Sequence, residues 1–168
     1  MFFVSSKHPV CGNITHTVAS GHAYSSIREM AKEASKKELK LLGITEHAQG
    51  IPGTCSNIYF ENLRVVPREM YGVELMLGAE INILDYHGKL SMEDRLIDKL
   101  DIRIAGIHNH CYTPGTIEQN TNAVIEAIKN PRIDIISHEV LHEVDSPEEL
   151  IINNSLIDFK NKIKLNRV

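Results

Sequence analysis

Four short apolar runs in this 168-residue sequence each lead directly to a side chain that could bind a metal ion. The four side chains are those of His47, Glu80, His108 and His138. Imidazole nitrogens and a carboxylate suit zinc, manganese or iron, and a glutamate can bridge two cations. Cations held close together polarise a phosphoryl oxygen and lower the pKa of bound water, so the pattern indicates metal-assisted ester hydrolysis.

The segment 12–25, GNITHTVASGHAYS, contains His16 and His22 among small and hydroxyl-bearing residues. Small residues let a backbone turn sharply and allow side chains to converge. We therefore expect both imidazoles to join the side chains that follow the apolar runs. The histidines interpreted as ordinary surface or loop residues are His8, His87 and His110.

The elements that must position these side chains follow from the hydrophobic pattern. The apolar runs have the length and β-branched content of buried strands, which are predicted at 2–11, 41–45, 73–79, 102–107 and 133–137. Helices are predicted at 27–37, after a capping box of Ser26 and Glu29, from Ser91 to Leu100 and at 116–129, with a turn at 85–89. Alternating strands and helices predict an α/β fold with a parallel sheet, whose carboxyl ends gather at one face.

The composition predicts one soluble domain that spans residues 1–168, because 42% of the residues are hydrophobic and 24% are charged. No apolar run approaches the roughly 20 residues that cross a bilayer, so no membrane partner is expected. The formal net charge of −4 disfavours bulk binding to nucleic acid. Three widely separated cysteines, Cys11, Cys55 and Cys111, favour a reducing, cytoplasmic location over a disulfide framework.

Six short motifs occur in order along the chain: HTVASGHAYS (16–25), LLGITEHA (41–48), LGAEINI (77–83), IAGIH (104–108), IDIISH (133–138) and INNS (152–155). Together they resemble the motifs of the polymerase and histidinol phosphatase (PHP) family, and most closely those of its small bacterial phosphatase branch. Several motifs in a fixed order are a much stronger signal than any one of them.

The resemblance implies a distorted, TIM-like, seven-stranded β/α barrel with up to three divalent metal ions, of which about five βα units are expected here. It implies metal-ligand roles for His16, His22, His47, Glu80, His108 and His138. Glu80, the bridging carboxylate, and His108 would be the catalytic residues of a phosphatase that hydrolyses a small phosphate monoester with metal-activated water. Zinc is the expected metal, with manganese and iron as alternatives, and the expected partner is the small phosphorylated substrate.

The sequence also departs from the family pattern. Gly12 and Ile14 stand where the family has an aspartate and a histidine, and Glu139 replaces a proline. The family's late Asp-x-His motif has no counterpart before Val168, which predicts an incomplete barrel. We expect from these departures that one metal ion binds well, that fewer than three bind in total, and that phosphatase activity is reduced or absent.

Two other functions fit parts of the pattern. A degenerate, non-catalytic module would bind metal or phosphate without turnover, and missing strands would expose sheet edges and favour self-association. The stretch HEVLH at 138–142 matches the HExxH signature of zinc proteases. Against the protease, Ser146 and Pro147 would end the required helix almost at once.

Overall fold

The structure is a computed structural model that describes residues 10–11 and 15–137. A six-stranded sheet lies at the centre of this part of the chain. Its strands are β1 (Val10–Cys11), β2 (Leu41–His47), β3 (Glu69–Met70), β4 (Val73–Asn82), β5 (Ile102–Gly106) and β6 (Ile135–Ile136). The α-helices are α1 (Ile27–Lys36), α2 (Asn57–Asn62), α3 (Asp94–Ile97) and α4 (Ile117–Lys129). The spatial order is β1-β2-β4-β5-β6, with all neighbours parallel, and β3 pairs antiparallel with β4.

The two central strands are buried along most of their length. In β2 every residue from Leu42 to His47 is buried, and in β4 every residue from Leu77 to Asn82 is buried. Continuous burial is typical of parallel strands that are covered on both faces. The register pairs Leu41 with Glu74 at one end of the two strands and His47 with Glu80 at the other. The polar side chains that follow the apolar runs therefore reach the same edge of the sheet.

The two longer helices begin as the sequence predicts. Ser26 caps α1 in a capping box with Glu29, and Thr116 caps α4 in the same way with Gln119. A capping box satisfies backbone donors that the first helical turn would otherwise leave without partners. The side chains that these helices bury are Ala31 and Ala34 of α1, and Asn120, Ala123, Val124 and Ala127 of α4.

Two predicted elements are shorter than expected. The helix predicted from Ser91 begins at Asp94 and has four residues, because Ser91 is bonded to the end of β4 instead. Its hydroxyl oxygen accepts hydrogen bonds from the backbone N–H and the side-chain amide of Asn82, both at 3.1 Å. The strand predicted at 133–137 pairs only at Ile135–Ile136, since Ile133 donates its N–H to the turn after α4. Neither α2 nor β3 was predicted from the sequence.

The α/β prediction with a parallel sheet is confirmed. Five parallel strands are present in the described residues, as many as the expected number of βα units. Closure into a seven-stranded barrel and the single-domain assignment stay predictions. The expectations for His138, for the departures at Gly12, Ile14 and Glu139, and for the HEVLH and INNS motifs lie outside the described residues.

Candidate metal centre

Glu80 lies at the centre of a group of histidines at the carboxyl edge of the sheet. Its carboxylate is almost completely buried, with 2% of the residue exposed. Oε2 is 3.4 Å from His16 Nε2 and 3.5 Å from His47 Nδ1, and Oε1 is 3.5 Å from His108 Nε2. The rings of His16 and His47 stack with 4.3 Å between their centroids. Three imidazoles thus surround one carboxylate.

The electrostatics of the group keep the carboxylate charged and one imidazole neutral. Burial by itself would raise the pKa of Glu80, but the interaction with His108 and the nearby His47 and His16 outweigh it, and the net pKa is lowered. Burial lowers the pKa of His47 from 6.5 to about 4, against the opposing effect of Glu80. A carboxylate and a neutral imidazole are the protonation states in which these side chains bind metals.

The loop that carries His16 and His22 is fixed to the end of β2. Thr45 donates its N–H to the carbonyl of Thr15 at 2.9 Å, and Thr15 returns a bond to the Thr45 hydroxyl at 3.2 Å. A short 3₁₀-helix, Val18–Ser20, follows and ends at Gly21 with a φ of 79°. A Cβ at Gly21 would lie 2.4 Å from the carbonyl oxygen of Gly53, so only glycine fits there.

The described residues contain two groups of side chains that could hold a metal ion. One group is His16, His22 and His47, and the other is His47, Glu80 and His108, with the potential ligand atoms of each group within 4.8 Å of one another. The second group is buried throughout, whereas His22 in the first is exposed. The buried Nδ1 of His47 has no hydrogen-bond partner within the described residues. An unsatisfied imidazole nitrogen beside a carboxylate fits a metal ligand better than a structural histidine.

The donor atoms in both groups are nitrogen and oxygen. Neither group includes a cysteine among the described residues. Burial and the nearby Glu46 raise the pKa of Cys55 to about 11, so this thiol stays protonated at neutral pH. Imidazole and carboxylate ligands suit zinc, manganese and iron, and the chemistry of the site therefore fits the metals that the sequence predicts.

Glu46 lies in the motif LLGITEHA but was given no role from the sequence, and its carboxylate holds the loop that carries His16 and His22. Its carboxylate is 1% exposed and accepts hydrogen bonds from the Thr17 N–H at 3.0 Å and the Ser20 hydroxyl at 2.6 Å. The Thr17 hydroxyl donates to the other oxygen at 2.5 Å, and the Tyr59 hydroxyl lies 3.4 Å from it. The available signal was an acid inside a buried strand, which requires several donors to compensate for its burial.

A cavity of 560 Å³ opens beside the histidines. Its lining residues are His22, His47, Ile51, Pro52, Ile107, His108, Asn109 and His110. The lining therefore combines candidate metal ligands with apolar side chains. His110, interpreted from the sequence as an ordinary loop residue, lies in the turn after His108 and lines this cavity. Tyr24 is 94% exposed and is not among the lining residues.

Comparison with known proteins identifies the family. The chain is 42% identical over 163 residues to a protein named a probable phosphatase from Caldicellulosiruptor bescii, covering 90% of the chain and 68% of that relative. It is 49% identical over 124 residues to a probable phosphatase from Clostridium novyi, covering 74% of the chain. The chain belongs to this family of probable phosphatases. No protein-family model matches the chain.

The chain covers different shares of its relatives in the probable phosphatase family. It spans 68% of the Caldicellulosiruptor bescii protein, 63% of a relative from Clostridium botulinum, and 51% of the Clostridium novyi protein. It thus spans about half to two thirds of the length of these curated relatives. Among the described residues, no helix combines the length and the apolar character that crossing a bilayer requires.

Five of the six predicted ligands come together in this member of the probable phosphatase family: His16, His22, His47, Glu80 and His108. His138, the sixth, lies outside the described residues. Its neighbour Ser137 is buried, and a Cβ added to Gly106 would lie 2.1 Å from Ser137 Oγ and 3.5 Å from Glu80 Oε1. The end of the described chain therefore approaches Glu80. Metal ligation by any of these residues stays a prediction.

Lowering the pH from about 6.5 towards 4 is expected to destabilise the metal-free protein, because His47 gains a proton there in the unfolded chain but not in the folded one. Because burial lowers the pKa of His47 from 6.5 to about 4, the unfolded chain binds a proton there that the folded chain does not. The free energy of unfolding should therefore fall as the pH decreases from about 6.5 towards 4. Thermal unfolding in EDTA across this interval measures the effect.

The matched variants for this experiment are His47→Gln and His87→Gln. Glutamine does not titrate, so His47→Gln should show a flatter dependence of unfolding temperature on pH. His87 is exposed, and its replacement should leave the wild-type slope unchanged. An equally steep slope in His47→Gln would contradict the pKa assignment.

Proposed function

We propose that this chain forms the metal-binding part of a metal-dependent phosphoesterase of the PHP type. The observation that carries the proposal is the buried Glu80 carboxylate between His16, His47 and His108. The names of the relatives support phosphate-ester hydrolysis, and the donor set supports a divalent metal. The proposed substrate is a small phosphate monoester, and the proposed metal is zinc, with manganese and iron as alternatives.

In this proposal the two candidate metal groups differ in their affinity for a divalent metal ion. His47, Glu80 and His108 are all buried and form the tighter site, because burial excludes water that would compete for the metal. His16 and His22, with His47 shared, form a weaker site at the more exposed edge. His138 is proposed as a further ligand on the strength of the sequence motif. Fewer than three ions would then bind tightly.

Each part of the site has a proposed role in the reaction. A divalent cation bound there would polarise a phosphoryl oxygen and lower the pKa of water. Glu80 supplies the negative charge that holds cations close together, and His47 binds without first losing a proton because its pKa is low. The cavity beside the histidines would receive the ester, with the phosphate at His47 and His108 and the organic part against Ile51, Pro52 and Ile107.

The barrel fold and the assembly state are part of the proposal. The five parallel strands of the described residues support an incomplete β/α barrel of the PHP type with about five βα units. Self-association is proposed as the way in which the outer edges of the sheet are covered.

The test uses the whole chain loaded with zinc or manganese, p-nitrophenyl phosphate as the substrate, and the variant His108→Ala. We expect metal-dependent release of phosphate in the wild type and a decrease of about 100-fold or more in the variant, because the buried site loses a ligand. His87→Ala, which changes an exposed histidine away from the cavity, should retain wild-type activity.

The outcomes separate the functions under comparison. Bound metal with no hydrolysis of any phosphomonoester would favour the non-catalytic module over the phosphatase. A chain that binds neither divalent metal nor phosphate would contradict both. Peptide cleavage that depends on metal and survives His108→Ala would favour the protease.

A further inference from the structure

We propose that Ser20 is a positioning residue that fixes His16 and His22 as the tautomers with a proton on Nδ1, so that both present Nε2 to the metal site. This inference rests on the proposed function, since it assigns the two side chains to metal binding. A neutral imidazole can bind a metal only through the nitrogen that lacks a proton. The tautomer of a ligand histidine is set by the hydrogen bond that its other nitrogen makes.

The first step concerns the proton of the Ser20 hydroxyl. Ser20 Oγ is 2.6 Å from Glu46 Oε2 and 3.5 Å from His16 Nδ1. A carboxylate accepts hydrogen bonds and donates none, so the short contact assigns the hydroxyl proton to Glu46. The Ser20 oxygen must then act as an acceptor toward its other neighbours.

The second step identifies those neighbours. The backbone N–H of His47 donates to Ser20 Oγ at 3.0 Å, which uses one lone pair of the oxygen. The other lone pair remains for His16 Nδ1, which must carry a proton to form a hydrogen bond there. The opposite tautomer of His16 would place two lone pairs against each other. Ser20 is 1% exposed, so bulk water does not offer an alternative partner.

The third step concerns His22, which contacts the same residue through the backbone. His22 Nδ1 is 3.1 Å from the carbonyl oxygen of Ser20. A carbonyl can only accept, so Nδ1 of His22 donates and carries the proton. One residue thus directs two imidazoles, through its hydroxyl and through its carbonyl group.

As a consequence, His16 and His22 both present Nε2 to the metal site. With Nδ1 protonated, the unprotonated Nε2 of His16 is the atom that lies 3.4 Å from Glu80 Oε2. A competing arrangement exists, in which His16 carries its proton on Nε2 and donates it to Glu80. Donation of the Ser20 hydroxyl proton to Glu46 disfavours this arrangement, because His16 Nδ1 would then lose its donor. Glu46 therefore acts on His16 through Ser20.

The test measures tautomers directly in the metal-free protein by ¹⁵N NMR of the imidazole nitrogens. At about pH 8, we expect protonated Nδ1 and unprotonated Nε2 in both His16 and His22 of the wild type. In Ser20→Ala the hydroxyl is lost but the carbonyl remains. We expect the His16 signals to shift toward the tautomer with a proton on Nε2, while His22 keeps its wild-type signals.

Zinc binding gives a second readout. Changing a residue that supports a metal ligand typically lowers metal affinity by about 10–100-fold, and we expect a loss in this range for Ser20→Ala by competition with a chelator. The control is Ser35→Ala, which removes a hydroxyl bonded to the Tyr71 carbonyl away from the site and should change neither readout.

The results that would overturn the proposal are a wild-type His16 with its proton on Nε2, or a Ser20→Ala variant with unchanged His16 signals. The wild-type spectrum alone decides the tautomers if the variant does not fold. Since the spectrum requires neither metal nor substrate, absence of phosphatase activity would overturn the proposed function and leave this assignment intact.

Discussion

Replacing Glu80 with glutamine is expected to remove tight binding of divalent metal while leaving the fold in place. The wild-type carboxylate lies within 3.5 Å of nitrogens of three histidines and is their shared negative charge. Changing a residue that only supports a ligand costs about 10–100-fold in affinity. Removal of the central ligand charge should therefore lower zinc affinity by at least about 100-fold, and hydrolysis of p-nitrophenyl phosphate should fall with it.

The metal-free variant should fold because glutamine has nearly the same shape as glutamate. Its amide is uncharged, so the variant loses the energetic cost of burying an ion at this 2%-exposed position together with the attraction of the histidines that outweighs this cost. Thermal unfolding in EDTA should thus occur somewhat below the wild-type temperature. The increase in unfolding temperature that zinc gives to the wild type should be absent in the variant, because the stabilisation by a ligand depends on its affinity.

Glu74→Gln is the matched control for this prediction. Glu74 lies on the same strand, β4, but is exposed and outside both candidate metal groups. Its replacement should preserve zinc affinity, activity and the zinc-dependent gain in unfolding temperature. Wild-type zinc affinity in Glu80→Gln would contradict the placement of Glu80 at the centre of the site.

The position of Glu80 beside His47 could be predicted from the sequence because each residue ends a predicted parallel strand, and the carboxyl ends of such strands meet at one edge of the sheet. Both residues follow apolar runs, and parallel pairing places His47 opposite Glu80. Convergence at the carboxyl ends of parallel strands then needs no knowledge of loops. The same reasoning places His108, which comes two residues after the end of β5.

The hydrogen bonds by which Glu46 holds the loop with His16 and His22 could not be predicted in the same way. The contact between Glu46 and Ser20 joins residues 26 positions apart through a loop whose path depends on close packing at Gly21. The sequence pattern also assigned Ser91 to a helix cap, since serine followed by an acid is typical of helix starts. Its bonds to Asn82 prevail because a buried strand end must satisfy its polar groups.

Replacing Gly78 with alanine is expected to give the largest loss of stability. Gly78 lies in β4 and is paired with Thr45 on one side and Ile102 on the other. A Cβ there would lie 1.8 Å from the carbonyl oxygen and 2.6 Å from Cγ2 of Ile102. The nearest atom belongs to the backbone, so β4 and β5 must separate. We expect the free energy of unfolding to fall by about 3 kcal/mol or more, measured by urea denaturation in EDTA.

Two further variants test whether a glycine-to-alanine change lowers stability through a steric clash or through the backbone conformation. Gly72 has a φ of 75°, and a Cβ added there would meet nothing within 4 Å. Gly72→Ala should therefore lose only about 1–2 kcal/mol, the cost of a left-handed alanine. Adding Ile102→Ala to Gly78→Ala removes Cγ2 but keeps the carbonyl, and it should not restore stability. Recovery in that double variant would assign the clash to the side chain.

The clash in Gly78→Ala should also disturb the geometry of the metal centre. Glu80 follows Gly78 by two residues on β4, the strand that pairs with β5. Any separation of the two strands that relieves the clash therefore also moves Glu80 relative to His108, which comes just after β5. Zinc affinity, measured by competition with a chelator, should fall in Gly78→Ala and remain unchanged in Gly72→Ala, because Gly72 lies before β4, at the end of the strand opposite Glu80.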